Sequence, residues 1–375
     1  MGIQKFLRQI KSLDWIVAGS SLLLCGFGLL SLYSSSMSRG DFSNFAKQLT
    51  FLGIGIIAMF VISFIDWRIL KNNPYLILAF YLVGVLALAG LFTPFVPEIR
   101  GVHGWYRIGG ISVDPREYIR LVLVILMAKY FALRHAEAHR IRHTILSGLY
   151  FTLPTLLVFL QPDLGSVLIL GSLWIATLLV AGAPIRYVGA ILAIAIVIAA
   201  IGWVGFLHDY QKQRIISFVE PGLDPLGIGW SQLQSKIAIG NGGIFGQGVG
   251  QGTQTQYGFL SEPHTDFIFA AIAEEFGLLG VSILFALFLL LIVQILKIGT
   301  VVQNNFARLF TTGLAVLFVF QIFINIGMNL GLLPIVGLPL PLVSYGGSSL
   351  VMNFIALGIL QSIKIHKIER LSDTP

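Results

Sequence analysis

The sequence predicts an all-α polytopic membrane protein, and three observations lead to this fold class. Only 11% of the 375 residues are charged and 56% are hydrophobic, whereas a soluble domain carries about 25% charged residues. The hydrophobic residues form stretches close to the roughly 20 residues that a helix needs to cross a bilayer. Basic residues lie mainly between these stretches, as in membrane proteins whose loops carry the topological signal.

We count ten candidate spans and expect about ten transmembrane helices. The fourth is the weakest because Glu117 and Arg120 stand at its start, and only Gln161-Pro162-Asp163 separates the fifth from the sixth. The spans are residues 15–33, 47–65, 74–93, 117–133, 144–160, 164–182, 187–206, 277–296, 309–330 and 349–365.

The distribution of lysine and arginine predicts that both termini are cytoplasmic. With this orientation, 15 of the 24 basic residues lie inside and nine lie outside, as the positive-inside rule requires. The outside residues fall mostly in two long loops, 94–116 and 207–265. The second is a large extracytoplasmic loop between helices 7 and 8. We find no repeat, linker or low-complexity segment, so a single membrane domain over residues 1–375 is expected.

Composition and motifs exclude several functional classes. The net charge of +7 does not indicate nucleic-acid binding, because no basic run with interleaved aromatic residues accompanies it. Cys25 is the single cysteine, so neither a disulfide framework nor a thiolate metal site is expected. The histidines and carboxylates lack zinc-ligand spacing, and the chain contains neither a P-loop nor a GxSxG motif. The first apolar stretch is too long for a cleavable signal peptide.

The segment from Gln234 to Glu275 is polar and glycine-rich at a membrane boundary, and it holds the main candidate for chemistry. Asp266 follows Pro263-His264-Thr265 and precedes an apolar helix that carries Glu274 and Glu275. A carboxylate here is either a first-turn acid that favours the helix dipole or a general base facing the outer leaflet. Position alone does not decide between these interpretations.

The start of the fourth span also has two interpretations. Glu117 and Arg120 stand at i,i+3 and form either a local helix pair or a pair that faces a cavity within the membrane. Anchoring at the membrane interface is one interpretation of the adjacent Arg116. All three residues are charged at the edge of an apolar stretch, so this edge is a candidate for function.

Three other groups of polar residues belong to loops. Asp163 is expected to cap the sixth helix. Arg214 and Lys236 of the second outer loop are either solvated charges or phosphate ligands, a role that suits arginine in particular. The run Leu342–Ser349 breaks the chain before the last span, and irregular backbone at this depth is tolerated where it lines protein or a wet cavity. We expect a re-entrant turn there.

Several of these motifs together resemble the SEDS family (shape, elongation, division and sporulation proteins), over nearly the whole chain. The strongest is Glu262-Pro263-His264-Thr265-Asp266-Phe267-Ile268-Phe269-Ala270, followed by Glu274-Glu275-Phe276-Gly277. Residues Gln234–Gly240 and Gly252–Gln256 are most similar to the RodA-type elongation branch. The other matching motifs are Gln213-Arg214, Asp224-Pro225-Leu226-Gly227, Gly242-Gly243, Gln161–Ser166 and Val343–Ser349.

The resemblance implies a peptidoglycan glycosyltransferase that polymerises lipid II at the outer face of the bacterial cytoplasmic membrane during cell elongation. It implies that Asp266 is the base that activates the acceptor 4-hydroxyl, and that the glycine-rich residues 240–252 close over the sugars. It also implies a class B penicillin-binding transpeptidase and other elongation-complex membrane proteins as partners, and a divalent cation (Mg or Mn) as an optional aid. The substrate-binding candidates are Glu117, Arg120, Arg214, Lys236, His264, Thr265, Ser344 and Ser348.

The chemistry of such a reaction is compatible with these residue types. A lipid pyrophosphate is a good leaving group, so its displacement needs charge stabilisation more than protonation. The attacking sugar hydroxyl needs a base. One carboxylate with nearby cations is therefore sufficient, and the paired carboxylates of glycosidases are unnecessary.

One region departs from the family pattern, which usually has an Arg-Trp pair, a Gln-Pro-Ser-Glu segment and then a lysine. This chain has Gly104-Trp105, Asp114-Pro115-Arg116-Glu117 and Arg120. Either Arg107 or Arg116 is expected to supply the missing charge.

Two other functions remain open from the sequence. A lipid II flippase would need a similar number of spans, but its polar residues should lie near the bilayer midplane and inverted repeats are often visible. A non-catalytic scaffold of the elongation machinery should tolerate loss of Asp266.

Overall fold

The computed structural model describes residues 9–94, 96, 104–109, 111–134, 137, 139–205, 209–220, 227–302 and 304–372. Within these residues the chain forms fourteen helices and one antiparallel hairpin. The elements are α1 (Trp15–Arg39), α2 (Ser43–Phe64), α3 (Arg68–Asn72), α4 (Pro74–Gly90), β1 (Tyr106–Ile108), β2 (Ile111–Val113), α5 (Pro115–Leu133), α6 (Ile141–Leu160), α7 (Leu164–Ala181), α8 (Ile185–Gly205), α9 (Asp209–Val219), α10 (Ile228–Asn241), α11 (Thr253–Gln256), α12 (Ile268–Val301), α13 (Asn305–Asn329) and α14 (Gly347–Ser372).

The helices agree with the predicted fold class. Each predicted span falls on one of them, and eight are long and apolar enough to cross a membrane. The chain is therefore a multi-pass membrane protein. The other two are α4, which is apolar but has only 17 residues, and α5, which carries charged residues within its 19 residues.

The predicted helix after Asp266 that carries Glu274 and Glu275 is confirmed. The helix α12 begins at Ile268 and has 34 residues, with a break in helical geometry at Gly277, the residue at which the predicted eighth span begins. Glu274 and Glu275 lie just before this break. Both side chains are buried against a neighbouring loop, so the helix continues through them.

Short polar side chains begin several of the helices. Asp14 caps α1 by accepting hydrogen bonds from the N–H groups of Ile16 and Val17. Asp163 accepts one from the N–H of Ser166 and caps α7, which confirms the capping prediction. Each carboxylate satisfies helix donors that have no partner within the helix.

A continuous hydrophobic core joins α1, α2, α4–α7 and α12–α14. The close packing of α14 along α2 depends on small residues. A Cβ atom added to Gly55 would lie 2.8 Å from the Phe354 ring, and one added to Gly358 would lie 2.9 Å from the Met59 carbonyl oxygen. In contrast, Val188 is the only residue of α8 that is buried, so α8 presents nearly its whole surface to lipid.

The two predicted outer loops contain regular structure. The second, residues 207–265, includes α9, α10 and α11, while residues 206–208 and 221–226 lie outside the described residues. In the first, β1 and β2 pair with Arg107 opposite Ser112. Ser348, in the first turn of α14, donates a hydrogen bond to the Ser112 carbonyl oxygen at 3.1 Å. The hairpin is thereby held against the start of the last helix.

Candidate active site

The polar motifs converge on the irregular segment Leu330–Gly346 between α13 and α14, which we call the connecting segment. It contains three residues with positive φ: Gly331, Gly337 and Leu342. A left-handed conformation is common for glycine but unusual for leucine. The carbonyl oxygen of Val343 lies so close to Gly28 of α1 that a Cβ atom there would overlap it. The predicted break near residues 342–349 is therefore a turn buried in the protein.

Asp266 lies in a tight turn just before α12. The N–H groups of Thr265 and Phe267 both donate to the carbonyl oxygen of Glu262, at 3.2 and 3.3 Å. Glu262 itself has a φ of 44°, and α12 begins two residues after Asp266. The turn places Asp266 at the positive end of a long helix dipole, which favours negative charge.

Two buried asparagines of α13 hold the backbone of Asp266. The Nδ2 atoms of Asn325 and Asn329 donate to its carbonyl oxygen at 3.1 and 2.9 Å. Asn329 also accepts from the N–H of Ala270 at 3.1 Å, and Asn325 donates to the carbonyl oxygen of Leu338 at 2.7 Å. These amides fasten the Asp266 turn to the connecting segment. The sequence analysis missed them, although an amide inside an apolar span is itself a signal.

Ser344 joins the other side of the turn to the connecting segment. Its hydroxyl donates to the carbonyl oxygen of Thr265 at 2.6 Å and accepts from the N–H of Leu340 at 2.8 Å. The N–H of Tyr345 donates to the carbonyl oxygen of His264 at 2.8 Å. The structure thus brings His264, Thr265 and Ser344 together around Asp266, and their role in binding substrate stays a prediction.

Gln48 of α2 was also missed by the sequence analysis. Its Nε2 donates to the carbonyl oxygen of Ser344 at 3.2 Å, and its Oε1 accepts from the N–H of Gly346 at 3.2 Å. The side chain is buried. The connecting segment is not helical and lacks regular backbone partners. The Gln48 amide therefore provides hydrogen-bond partners to its backbone.

A buried charge cluster lies at the start of α5. The Arg116 guanidinium donates to both oxygens of Asp114 at 2.8 Å and to Asp163 at 2.5 Å. It lies 5.1 Å from the centre of the Trp105 ring. The interpretation of Arg116 as an interfacial anchor is wrong, because its two carboxylate partners satisfy the charge inside the protein.

Arg116 also explains the glycine at position 104. A Cβ atom added to Gly104 would lie 2.9 Å from the Arg116 guanidinium. This guanidinium therefore occupies the space beside Trp105 into which a side chain at position 104 would project. Arg107, the other candidate for the missing charge, is exposed on β1. The geometry favours Arg116.

Glu117 and Arg120 form a buried ion pair with a distance of 2.6 Å. Arg120 also donates to the Ser166 hydroxyl at 2.6 Å, and that hydroxyl donates to Asp163 at 2.6 Å. The two residues of the pair are 7% and 3% exposed. Both face other protein groups, and the predicted contact with substrate stays a prediction.

The charge cluster and Asp266 meet across the connecting segment. A Cβ atom added to Gly165 of α7 would lie 2.8 Å from the Val336 carbonyl oxygen, and one added to Gly337 would lie 3.6 Å from Asp266 Oδ2. Ser348 adds a second link, because its hydroxyl accepts from the N–H of Asp114 at 3.0 Å. Residues that are far apart in the sequence therefore share one end of the molecule.

Burial and charge act in opposite directions on Asp163. Burial favours its neutral form, but Arg116 and the hydrogen bonds from Ser166 outweigh this effect and hold the pKa of Asp163 below its usual value. The carboxylate therefore remains ionised at neutral pH.

Lys236 lies at the rim of the connecting segment. Its exposed side chain covers Gly331, where a Cβ atom would meet it. The neighbouring Gln232 donates to the carbonyl oxygen of Leu333 at 3.4 Å, which holds α10 against the segment. Arg214 is half-buried on α9. Of the predicted cations, Lys236 is the most accessible from outside.

Glu274 and Glu275 hold the glycine-rich loop. Glu274 is fully buried and accepts from the N–H groups of Gln254 and Thr255 and from the hydroxyls of Thr253 and Thr255. Glu275 accepts from the Ser34 hydroxyl, the Gly250 N–H and the Gln256 amide.

The same loop repairs the break in α12 at Gly277. The N–H groups of Leu278 and Leu279 donate to the carbonyl oxygens of Gly243 and Ile244, and the carbonyls of Glu274 and Glu275 accept from loop residues 247 and 248. These exchanges replace two helical hydrogen bonds, as a broken helix within a membrane requires. Residues 242–250 thus pack on α12, and our expectation that residues 240–252 close over the sugars stays a prediction.

The comparisons with known proteins agree over almost the full length. The model of the FtsW, RodA and SpoVE cell cycle protein family matches residues 14–369. The peptidoglycan glycosyltransferase MrdB of Escherichia coli K12 is 36% identical over 359 residues, which cover 94% of this chain and 95% of MrdB.

Two solved structures are similar in fold. One comes from a study of polymerisation and crosslinking by a peptidoglycan synthase complex; it has a TM-score of 0.80 and 28% identity, and the match covers 96% of this chain and 99% of that one. The other is the rod shape determining protein RodA of Thermus thermophilus, with a TM-score of 0.69, 26% identity and coverage of 95% and 97%. The chain therefore belongs to the family of FtsW, RodA and SpoVE cell cycle proteins.

Proposed function

We propose that this protein is a peptidoglycan glycosyltransferase that polymerises lipid II during cell elongation. The observation that carries the proposal is the Asp266 turn, which α13 and the connecting segment hold at one end of the helices beside a charge cluster. The relatives named above support the activity, since MrdB is a peptidoglycan glycosyltransferase.

In the proposed topology the chain crosses the bacterial cytoplasmic membrane ten times, with α4 and α5 as the third and fourth spans. Both termini are cytoplasmic, and residues 207–265 lie outside between the seventh and eighth spans. The whole chain acts as one membrane domain, which is supported by the continuous core from α1 to α14. Asp266 and the connecting segment then face the outer leaflet, where lipid II is consumed.

In the proposed reaction, Asp266 removes the proton from the 4-hydroxyl of the acceptor sugar. The oxygen attacks C1 of the donor sugar, and the bond from C1 to the pyrophosphate oxygen breaks. The lipid pyrophosphate leaves, and its oxygen keeps the electron pair of the broken bond. Attack from the opposite side inverts the configuration at C1. A positioned base contributes about 10²- to 10⁴-fold to such a step.

The cations have different tasks in this proposal. Lys236 is exposed and Arg214 half-buried, so we assign the leaving pyrophosphate to them. Arg120 is engaged by Glu117 and Ser166, so we assign this pair a positioning role. His264, Thr265, Ser344 and Ser348 shape the surface around the acceptor.

A divalent cation fits this site only in part. Among the residues that the structure describes, no group of three or more His, Cys, Asp or Glu side chains could hold a metal. Asp266 is the carboxylate nearest the proposed chemistry, so the pyrophosphate would provide most of the ligands for Mg²⁺ or Mn²⁺. Such an ion would neutralise charge on the leaving group, and no step here depends on it.

We propose a class B penicillin-binding transpeptidase as the partner, together with other membrane proteins of the elongation complex. The similar structure from a peptidoglycan synthase complex supports this assignment. A separate enzyme would then crosslink the strands that this chain polymerises.

The first test is polymerisation of labelled lipid II by the purified chain together with its transpeptidase. We expect long glycan strands from the wild type and none from Asp266→Asn. If the wild type makes no strands under any partner or cation condition and instead moves lipid II across vesicles, the glycosyltransferase proposal is wrong. If Asp266→Asn polymerises normally, the assignment of the base is wrong.

A further inference from the structure

A polar cavity lies at the end of the molecule opposite Asp266. Its volume is about 250 Å³, and its lining includes Lys71, Lys129, Leu133, Asn304, Asn305 and Phe306. Lys129 follows Glu117 along α5 by about 18 Å at 1.5 Å per residue, so the cavity is far from the proposed active site. A single water takes about 30 Å³ of liquid volume, so this cavity has room for a much larger group.

Lys129 is a buried cation without a visible counterion. It is 8% exposed, and its ammonium nitrogen has no hydrogen-bond partner among the residues that the structure describes. Among the described residues that line the cavity, none is acidic. A buried charge without a partner is costly, so its surroundings favour an anion.

Two other features of the cavity act in the same direction. Lys71, at the last turn of α3, adds a second positive charge. The N-terminus of the 25-residue α13 also opens here, where Asn304 accepts from the N–H of Phe306. The first turn of a helix has further N–H groups without helical partners, and its dipole attracts anions.

The cavity also has apolar lining residues. Leu133 is 68% exposed at its edge, whereas Phe306 is fully buried and stacks on Trp67 with 5.6 Å between the ring centres. An occupant with a charged head and an apolar tail fits both parts. The two lysines and the helix N-terminus suit a phosphate group in particular.

We infer that this cavity binds a phosphate group on the cytoplasmic side of the membrane. The same chemistry is offered by the headgroup of an anionic lipid such as phosphatidylglycerol and by soluble phosphate, and the exposed Leu133 at the edge of the cavity favours the lipid. This site is independent of the glycosyltransferase proposal, because none of its residues belongs to the outer site.

The test is native mass spectrometry of the full chain with phosphatidylglycerol or phosphatidylcholine added, and with inorganic phosphate as a competitor. We expect Lys129→Met to weaken phosphatidylglycerol binding about tenfold or more, since a charged hydrogen bond contributes that much. Lys71→Met should weaken it less. The matched control is Lys297→Met, which removes an exposed lysine near the C-terminal end of α12 and should leave binding unchanged.

The arms of this experiment separate the possible outcomes. Competition by inorganic phosphate at millimolar concentration would identify a soluble phosphate as the occupant, whereas its failure to compete would identify the lipid. Equal binding of the two lipids without an effect of phosphate would overturn the inference. So would unchanged binding in both Lys129→Met and Lys71→Met. Lys71 is half-buried on a short helix, so its variant remains informative if Lys129→Met unfolds.

Discussion

Asp266 and Glu274 are acids at the same end of α12, yet the protein treats them in opposite ways. Neighbours of Asp266 hold its backbone, through Asn325 and Asn329, while its carboxylate is on a half-buried surface beside Gly337. Neighbours of Glu274 hold its carboxylate, which accepts hydrogen bonds from Thr253, Gln254 and Thr255. The comparison shows that the carboxylate of Glu274 supports a loop, and the fixed backbone of Asp266 is compatible with the role proposed for it.

The largest expected effect comes from removing the Asp266 charge. Asp266→Asn should lower the rate of lipid II polymerisation by about 10²- to 10⁴-fold, because an amide cannot accept the proton. Thermal stability should change little, since the backbone contacts of the turn remain. Strand length on gels and unfolding temperature in detergent measure the two properties.

The control for this variant is Asp41→Asn, at an exposed site between α1 and α2 whose carboxylate contacts only Ser43 among the described residues. It removes the same charge and should retain full activity. If both variants lost activity equally, the effect would be one of surface charge, and the contrast between Asp266 and Glu274 would disappear.

The second test disturbs the contact between the glycine-rich loop and α12 next to Glu274. At Gly277, φ is 64° and ψ is −164°, and a Cβ atom would overlap the backbone of Gly246. Gly277→Ala should therefore lower the free energy of unfolding by at least about 3 kcal/mol, because both the conformation and the contact are unfavourable for alanine.

The matched control is Gly171→Ala in α7, where a Cβ atom would meet nothing within 4 Å. Alanine is a better helix former than glycine, so the stability of Gly171→Ala should equal or slightly exceed that of the wild type. Thermal unfolding of both variants decides the matter. Equal stability of the two would show that the loop does not depend on the break at Gly277.

A third change sharpens the comparison at Glu274 itself. Glu274→Gln removes a charged acceptor from a group of four donors and should cost about 2–3 kcal/mol of stability. Specific activity per folded molecule should remain much higher than that of Asp266→Asn. Unfolding temperature and the polymerisation rate of the folded fraction would be measured together. An activity loss as deep as that of Asp266→Asn at unchanged stability would contradict the supporting role.

The smallest effect concerns the pH dependence of the charge cluster. The pKa of Asp163 is lowered in the folded protein, so its ionised form stabilises the fold above its unfolded pKa of about 3.9. This contribution is lost as the pH falls through the lower folded pKa. Asp163→Asn should be less stable than the wild type at pH 6 and should show a weaker loss below about pH 4.

Unfolding temperatures between pH 3 and pH 6 provide the measurement. The control is Asp66→Asn, at a half-exposed site outside the charge cluster where Asp66 pairs with Arg68. If the wild type and Asp163→Asn lost the same stability on acidification, the ionised carboxylate of Asp163 would not stabilise the charge cluster.

The sequence by itself determined the fold class, the approximate spans and the identity of Asp266 as the main candidate. The first two depend on local composition, since apolar length decides whether a helix crosses a membrane, whereas Asp266 was identified by its motif and its place before an apolar helix. The cap at Asp163 was also predictable, because capping needs only a short acceptor next to the helix start.

Only the tertiary structure decided which charges are partners. Arg116 bonds Asp163 across 47 positions of sequence, and Asn329 bonds the backbone of Asp266 across 63. Hydropathy cannot reveal such contacts, because they depend on where helices meet. The same is true of the glycine-rich loop, whose hydrogen bonds with Glu274 and with the backbone around Gly277 hold it against α12.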